Sequence, residues 1–210
     1  MSDLRYTLLA DGPADRALIP ILDWLLRQHL PARPVQPQFA ELRNLRPPPA
    51  SLVERLKVSI ALYPCEILFV HRDAEAEPPQ NRVGEINRAL QQASLEGTPP
   101  LCCVVPVRMT EAWLLFEEAA IRKASGNPNG RIPLDIPSVP ESVVNPKDLL
   151  ERLLRDASGL SGRRRKKFSV PQTVQRLAQL IEDFSPLRGL GAFQSLEADL
   201  KVVLRSLGGR

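Results

Sequence analysis

The chain is short of the residues that staple, span or cradle. Three cysteines stand in 210 residues, Cys65, Cys102 and Cys103. Their number is odd, two are adjacent, and none has CxxC or metal-ligand spacing, which argues against a disulfide framework and a zinc cluster. Cys102 and Cys103 lie in an apolar run, where cysteine serves as a small buried residue. Long hydrophobic stretches are missing: runs such as 67–70 and 101–107 fall far below the roughly 20 residues of a bilayer span. The first 16 residues, MSDLRYTLLADGPADR, place charges on both sides of a short apolar segment, unlike a signal peptide. These features predict a reducing, cytoplasmic setting with no membrane partner. GxxxxGK[ST], GxGxxG and the Ser-His-Asp and Cys-His nucleophile patterns are absent too, which removes the common nucleotide cradles and acyl-transfer triads.

What is present fits one domain with an appended subdomain. Hydrophobic residues make up 43% and charged residues 25%, enough apolar content to exclude overall disorder. The 21 prolines exclude a long coiled coil and must punctuate many short elements. Net charge is +4, too weak an excess to imply an anionic partner unless the cations are clustered.

Hydrophobic periodicity predicts alternating strands and helices. Residues 6–10 read as a buried strand ended by Asp11-Gly12-Pro13, and 14–29 as an amphipathic helix. A second strand over 35–42 contains Pro37, which suits an edge. Ser51 and Glu54 form a capping box for a helix over 52–62. The run CEILFVH, 65–71, is apolar on both faces, as central parallel strands are. Next come a helix over 81–96, a strand over 101–107 and a helix capped by Thr110 and beginning near Glu111. Residues 126–145 read as a Pro-rich surface excursion. Pro146 opens a helix to 157, 159–167 is a basic loop, and 170–184 and 192–207 are helices. The pattern predicts an α/β fold with a mostly parallel sheet flanked by helices. Residues 1–145 would form this domain, and 146–210 a helical C-terminal region packed on it.

In such sheets reactive groups gather beyond the C-terminal strand ends. Asp11 comes directly after the first predicted strand, with Asp15 one turn later; Asp73 and Glu75 come after the third and Glu111 after the fourth. Paired carboxylates of this kind suit Mg²⁺ or Mn²⁺. Strand-end acids also act as caps or solvated loop residues, and both roles stay open. His71, beside Asp73, is either a proton shuttle or a partly buried structural residue.

Four stretches carry a resemblance: DGPADRALIPILDWLL from Asp11, FVHRDAE from Phe69, VPVRMTEAWLL from Val105 and NPKDLL from Asn145. They resemble a TOPRIM-like family encoded beside ATPases in bacteria and related to OLD-type nucleases. The resemblance implies a TOPRIM-like (Rossmann-like) fold and a metal-dependent phosphoryl-transfer site, with a possible ATPase partner and a role in bacterial defence. It implies Asp11 as acid/base and Asp73 and Glu75 as Mg²⁺ ligands; Asp11 is alternatively a further ligand, and Glu111, after the fourth strand, is read as a catalytic residue that ligates the ion or orients its ligands. Asp11 stands where such proteins normally carry Glu, and Glu75 where they carry a second Asp. The expected function is a divalent-metal-dependent nuclease or related enzyme acting on nucleic acid. The alternative is a non-catalytic subunit that binds nucleic acid or an ATPase through a degenerate acidic site.

The cations are clustered. Arg163, Arg164, Arg165, Lys166 and Lys167 are consecutive, so the block is exposed and attracts polyanions. Phe168 behind it either stacks on a base or anchors the loop in the core. Arg72 and Lys147 sit beside predicted strand or helix ends and are candidate phosphate contacts. A nucleotide-handling enzyme without a polymer substrate would not need the basic block.

Overall fold

The computed structural model describes residues 3–208. Four strands, β1 (Leu4–Leu9), β2 (Val35–Phe39), β3 (Ile67–His71) and β4 (Leu101–Val104), form one parallel sheet in the order β2-β1-β3-β4. Pro37 lies on edge strand β2, opposite Tyr6, where its missing N–H leaves no gap in a ladder.

Alternation along each strand supplies two cores, because successive side chains point to opposite faces. Leu4, Tyr6 and Leu8 of β1, Ile67 and Phe69 of β3, and Cys102 and Val104 of β4 face one side. Leu9, Leu68, Val70 and Cys103 face the other. On the second side lie α2 (Leu52–Leu62) and α3 (Pro79–Ala93). The first side takes α1 (Leu18–His29), α4 (Glu118–Ala124), α5 (Pro146–Ala157), α7 (Val170–Leu180) and α8 (Gly191–Gly208). Helices beyond residue 145 thus share a single buried cluster with β1 and α1, through Leu150, Leu154, Leu177, Phe193 and Leu200. The larger core holds the aromatic contacts, Tyr6 on Phe69 at 5.3 Å and Trp113 on Phe193 at 5.4 Å. None of the described helices is long and apolar enough to cross a membrane.

The capping box forms: Glu54 N–H donates to Ser51 Oγ at 3.1 Å, and Ser51 N–H donates back to Glu54 Oε2 at 3.1 Å. Other elements depart from the periodicity. Residues Pro13–Ala17 make a 3₁₀ turn before α1, since Pro13 starts the turn and the Asp15 carboxylate is used by the Gly12 N–H at 2.8 Å. The apolar run after β3 leaves the ladder at Val104, two residues before Pro106. Thr110 is the first residue of a 3₁₀ turn, Thr110–Leu114, with Met109 at the cap. The basic stretch expected as a loop is a short helix, α6 (Gly162–Lys166). Arginine and lysine are good helix formers, and Gly162 supplies the φ of 54° at its start that a Cβ would disfavour.

Candidate acidic site at the sheet switch point

The strand order reverses between β1 and β3: the chain runs outward from β1 to β2, then returns to place β3 on β1's other side. Leu9 is level with Val70, and His71 with Val104. The segments leaving the C-terminal ends of these strands therefore meet at one edge, where open α/β sheets bind ligands.

The centre of this edge is buried. His71 is 1% exposed. Its Nδ1 lies 2.9 Å from the Val104 carbonyl oxygen, which only accepts, so Nδ1 carries the hydrogen. The other nitrogen, Nε2, faces Thr110 Oγ1 at 3.2 Å, Asp73 Oδ1 at 3.5 Å and Asp15 Oδ1 at 3.7 Å. Asp73 Oδ1 accepts the Thr110 backbone N–H at 2.9 Å. Burial pushes the Asp73 carboxyl up to about 6; the Asp15 and Glu111 carboxylates add to the rise, while His71 and the Thr110 N–H oppose it. Asp15 and Asp73 thus flank one imidazole, and Asp15 and Glu111 both repel the Asp73 carboxylate.

Asp11 and Glu75 lie outside that group. Asp11 Oδ1 accepts from Arg55 Nη1 at 2.7 Å, and its Oδ2 is ion-paired with Arg72, 3.0 Å from Nε. Arg55 also donates to the Ala10 carbonyl oxygen, and Arg43 to that of Asp11 at 2.7 Å. Glu75 has φ 56°, is 66% exposed, and turns toward Arg82 at 3.5 Å. Its backbone N–H donates to the carbonyl of Arg108, itself at φ 63°, at 2.8 Å. Two non-glycine residues held at positive φ face one another across the mouth of the edge, the kind of strain that concentrates at functional sites.

The cations fall into two kinds. Arg72 spans Asp11 and Glu85, the latter at 2.8 Å, and Glu85 in turn holds Arg82 at 3.1 Å. Its place is inside an ion network. Lys147 is exposed near the start of α5. Of the basic block, Arg165 is tied to Asp156 at 2.9 Å, whereas Arg163, Arg164, Lys166 and Lys167 are exposed. Phe168 packs against the larger core, so it anchors the segment.

Sequence reasoning expected Asp11, Asp73, Glu75 and Glu111 to meet at one edge, left Asp15 open as a cap, and missed Arg43, Arg55, Arg82 and Glu85. Each looked like an ordinary polar position on a helix or loop. Only the crossing of chain segments shows that Arg43 and Arg55 line a cavity of about 200 Å³ beside Asp11, Gly12 and Glu41. Burial raises the pKa of all three thiols, that of Cys103 to about 12, so no thiolate nucleophile competes with the acids.

Among the described residues, no group of three or more His, Cys, Asp and Glu side chains is arranged to hold a metal ion. Magnesium is usually held by one or two carboxylates completed by waters and substrate phosphates. Asp73 with Asp15 has that donor chemistry, and their mutual repulsion is what a divalent cation relieves. Compared with known proteins, the chain matches no family model, no curated protein and no solved structure.

Proposed function

We propose that the chain is a divalent-metal-dependent phosphoryl-transfer enzyme acting on nucleic acid, a nuclease in the sense that its TOPRIM-like motifs imply. The observation that carries this reading is the placement of the Asp15 and Asp73 carboxylates on either side of His71 Nε2 at the switch point, at 3.7 and 3.5 Å, with the Asp73 carboxyl pushed up to about 6. Asp73 and Asp15 would hold Mg²⁺ or Mn²⁺, with Glu111 beside them. The ion's contribution would be to neutralise charge on the transferring phosphoryl group.

The chain's own groups divide the remaining work. His71, fixed by Val104, keeps Nε2 aimed between the two carboxylates and can hold a proton there. The Thr110 N–H fixes one Asp73 oxygen. Arg43 and Arg55 line the adjacent cavity, where planar guanidinium groups suit a phosphate. Both Asp11 oxygens are engaged by Arg55 and Arg72, so Asp11 is better suited to positioning those arginines than to proton transfer.

The test is cleavage of labelled single- and double-stranded DNA and RNA with Mn²⁺, Mg²⁺ or EDTA, by wild type, Asp73→Asn and Asp15→Asn. Metal-dependent cleavage lost in both variants supports the reading. Cleavage that persists in EDTA, or in Asp73→Asn, overturns it. A second reading, a non-catalytic nucleic-acid-binding subunit, is favoured by one observation: Glu75 points to Arg82 rather than to Asp73. Binding with no cleavage under any metal decides for it.

A further inference from the structure

We infer that α6 is a phosphate anchor outside the acidic edge, so the substrate is a nucleic-acid polymer. This rests on the reading of that edge as a phosphoryl-transfer site acting on nucleic acid.

The anchor begins with unpaired charge. Arg163, Arg164, Lys166 and Lys167 are exposed, and none makes an ion pair with a carboxylate among the described residues. Arg163 and Lys167 are four residues apart, and Arg163 and Lys166 three. Like charges at these helical spacings repel. A loop would let them spread, but the helix holds them together, and a polyanion is the partner that relieves the repulsion.

The helix is also fastened. Arg165 Nη1 donates to the Arg155 carbonyl oxygen at 3.0 Å, Arg155 Nη1 donates to that of Arg165 at 2.9 Å, and Arg165 Nη2 meets Asp156 at 2.9 Å. Phe168 seals the end of the segment against the core and lies under the Arg155 guanidinium at 5.9 Å. One cation of the five is thus used for attachment, and the four free ones are presented from a fixed base. Fixing a charged surface before binding reduces the ordering cost on association.

The track from α6 leads to the acids. Gln175 of α7 donates to the Ala14 carbonyl oxygen at 2.6 Å, and Ala14 immediately precedes Asp15. Lys167 stands three residues before α7 begins at Val170. Three extended steps and five helical rises bring Lys167 within about 18 Å of Gln175. That span is about five base pairs of duplex rise. Arg176, next to Gln175 and exposed, adds a cation along the way. A strand lying along α7 can contact the cations of α6 and reach Gln175 at once.

The experiment replaces Arg163, Arg164, Lys166 and Lys167 together by Gln, leaving Arg165 in place. Binding of fluorescent oligonucleotides of about 4 and about 20 nucleotides is followed in EDTA from about 50 to 200 mM salt. Wild type should bind the long strand more tightly and with a steeper salt slope. The variant should lose at least about tenfold affinity for the long strand, and flatten the slope by about 0.7 per lost contact on single strands. For the short strand, which occupies only part of the track, the loss should be smaller. Equal affinity and slope in the two proteins overturn the anchor, as does a wild type that binds neither strand. Cleavage assays keep the two ideas apart. Loss of binding in the variant with no cleavage by wild type leaves the anchor and removes the enzyme. Metal-dependent cleavage with unchanged binding does the reverse.

Discussion

Asp73 Oδ1 accepts the backbone N–H of Thr110 at 2.9 Å, tying the chain beyond β3 to the turn after β4. The same carboxyl lies against His71 and near Asp15 and Glu111. It is therefore held by two neutral donors of Thr110, the N–H and the hydroxyl at 3.4 Å, and strained by its like-charged neighbours, and its replacement separates those effects.

Asp73→Asn keeps an oxygen that can accept the Thr110 N–H and removes the charge. A carboxyl raised to about 6 from 3.8 takes up its proton more readily in the folded protein than in the unfolded chain. The folded state is thus favoured below the unfolded value and loses stability as pH rises through the window between the two. Above about pH 6 the full cost is present, about 1–3 kcal/mol at 1.36 kcal/mol per pKa unit. Urea unfolding in EDTA should show the variant more stable than wild type by that order at neutral pH, with the gap closing toward about pH 4. A variant less stable at neutral pH would mean that Asp73 is a structural acceptor and nothing more.

Glu197 of α8 should behave with the opposite sign. It receives His29 Nε2 at 2.8 Å and Arg188 Nη2 at 3.0 Å. Burial alone raises its pKa, but the hydrogen bonds from Arg188 and His29 outweigh burial and the net shift is downward. The stability it contributes is present above the ordinary value of 4.5 and is lost as pH falls through the lower, folded value. Glu197→Gln should cost about 2 kcal/mol at neutral pH. That cost should shrink as pH falls below 4.5 and through the lower, folded value, where wild-type Glu197 itself takes up a proton. A constant difference across pH would indicate lost packing instead of lost charge.

Gly12→Ala tests the arginine-lined cavity. Gly12 has φ −153°, extended backbone open to alanine, so any effect is steric. An added Cβ would stand 3.0 Å from Arg43 Nη2 and 3.6 Å from its Cζ. The flexible guanidinium should move away and release the Asp11 carbonyl. Unfolding free energy should stay within about 1 kcal/mol of wild type. Affinity for inorganic phosphate, measured by calorimetry, should fall several-fold. Unchanged phosphate affinity would remove Arg43 from the proposed phosphate contacts.

Much of the fold was legible because local patterns and tertiary packing agree. CEILFVH had to be a central strand, since only a strand covered on both faces buries every residue from Ile67 to His71. Ser51 and Glu54 marked the start of α2 because the capping bonds span three residues. The boundaries that moved did so for local reasons: prolines ended ladders early, and side chains such as Asp15 bonded the backbone before α1 could start. The basic block hid its helix because charge patterning points to exposure, and exposure is shared by loops and helices.

The acidic site divides at the same line. Sequence by itself determined that acids stand just beyond the strands, that the sheet is parallel, and that such acids gather at one edge, because strand direction and the alternation of elements are local properties. It could not decide which acids meet. Asp11 and Asp15 are four residues apart, yet Asp11 is neutralised by Arg55 and Arg72 while Asp15 turns under His71. Asp73 and Glu75 are two apart, yet a single positive φ sends Glu75 outward to Arg82. Those outcomes depend on arginines 44 and 61 residues beyond Asp11 and on a turn after another strand. Only the tertiary structure brings such groups within the few ångströms at which charge and hydrogen bonding act.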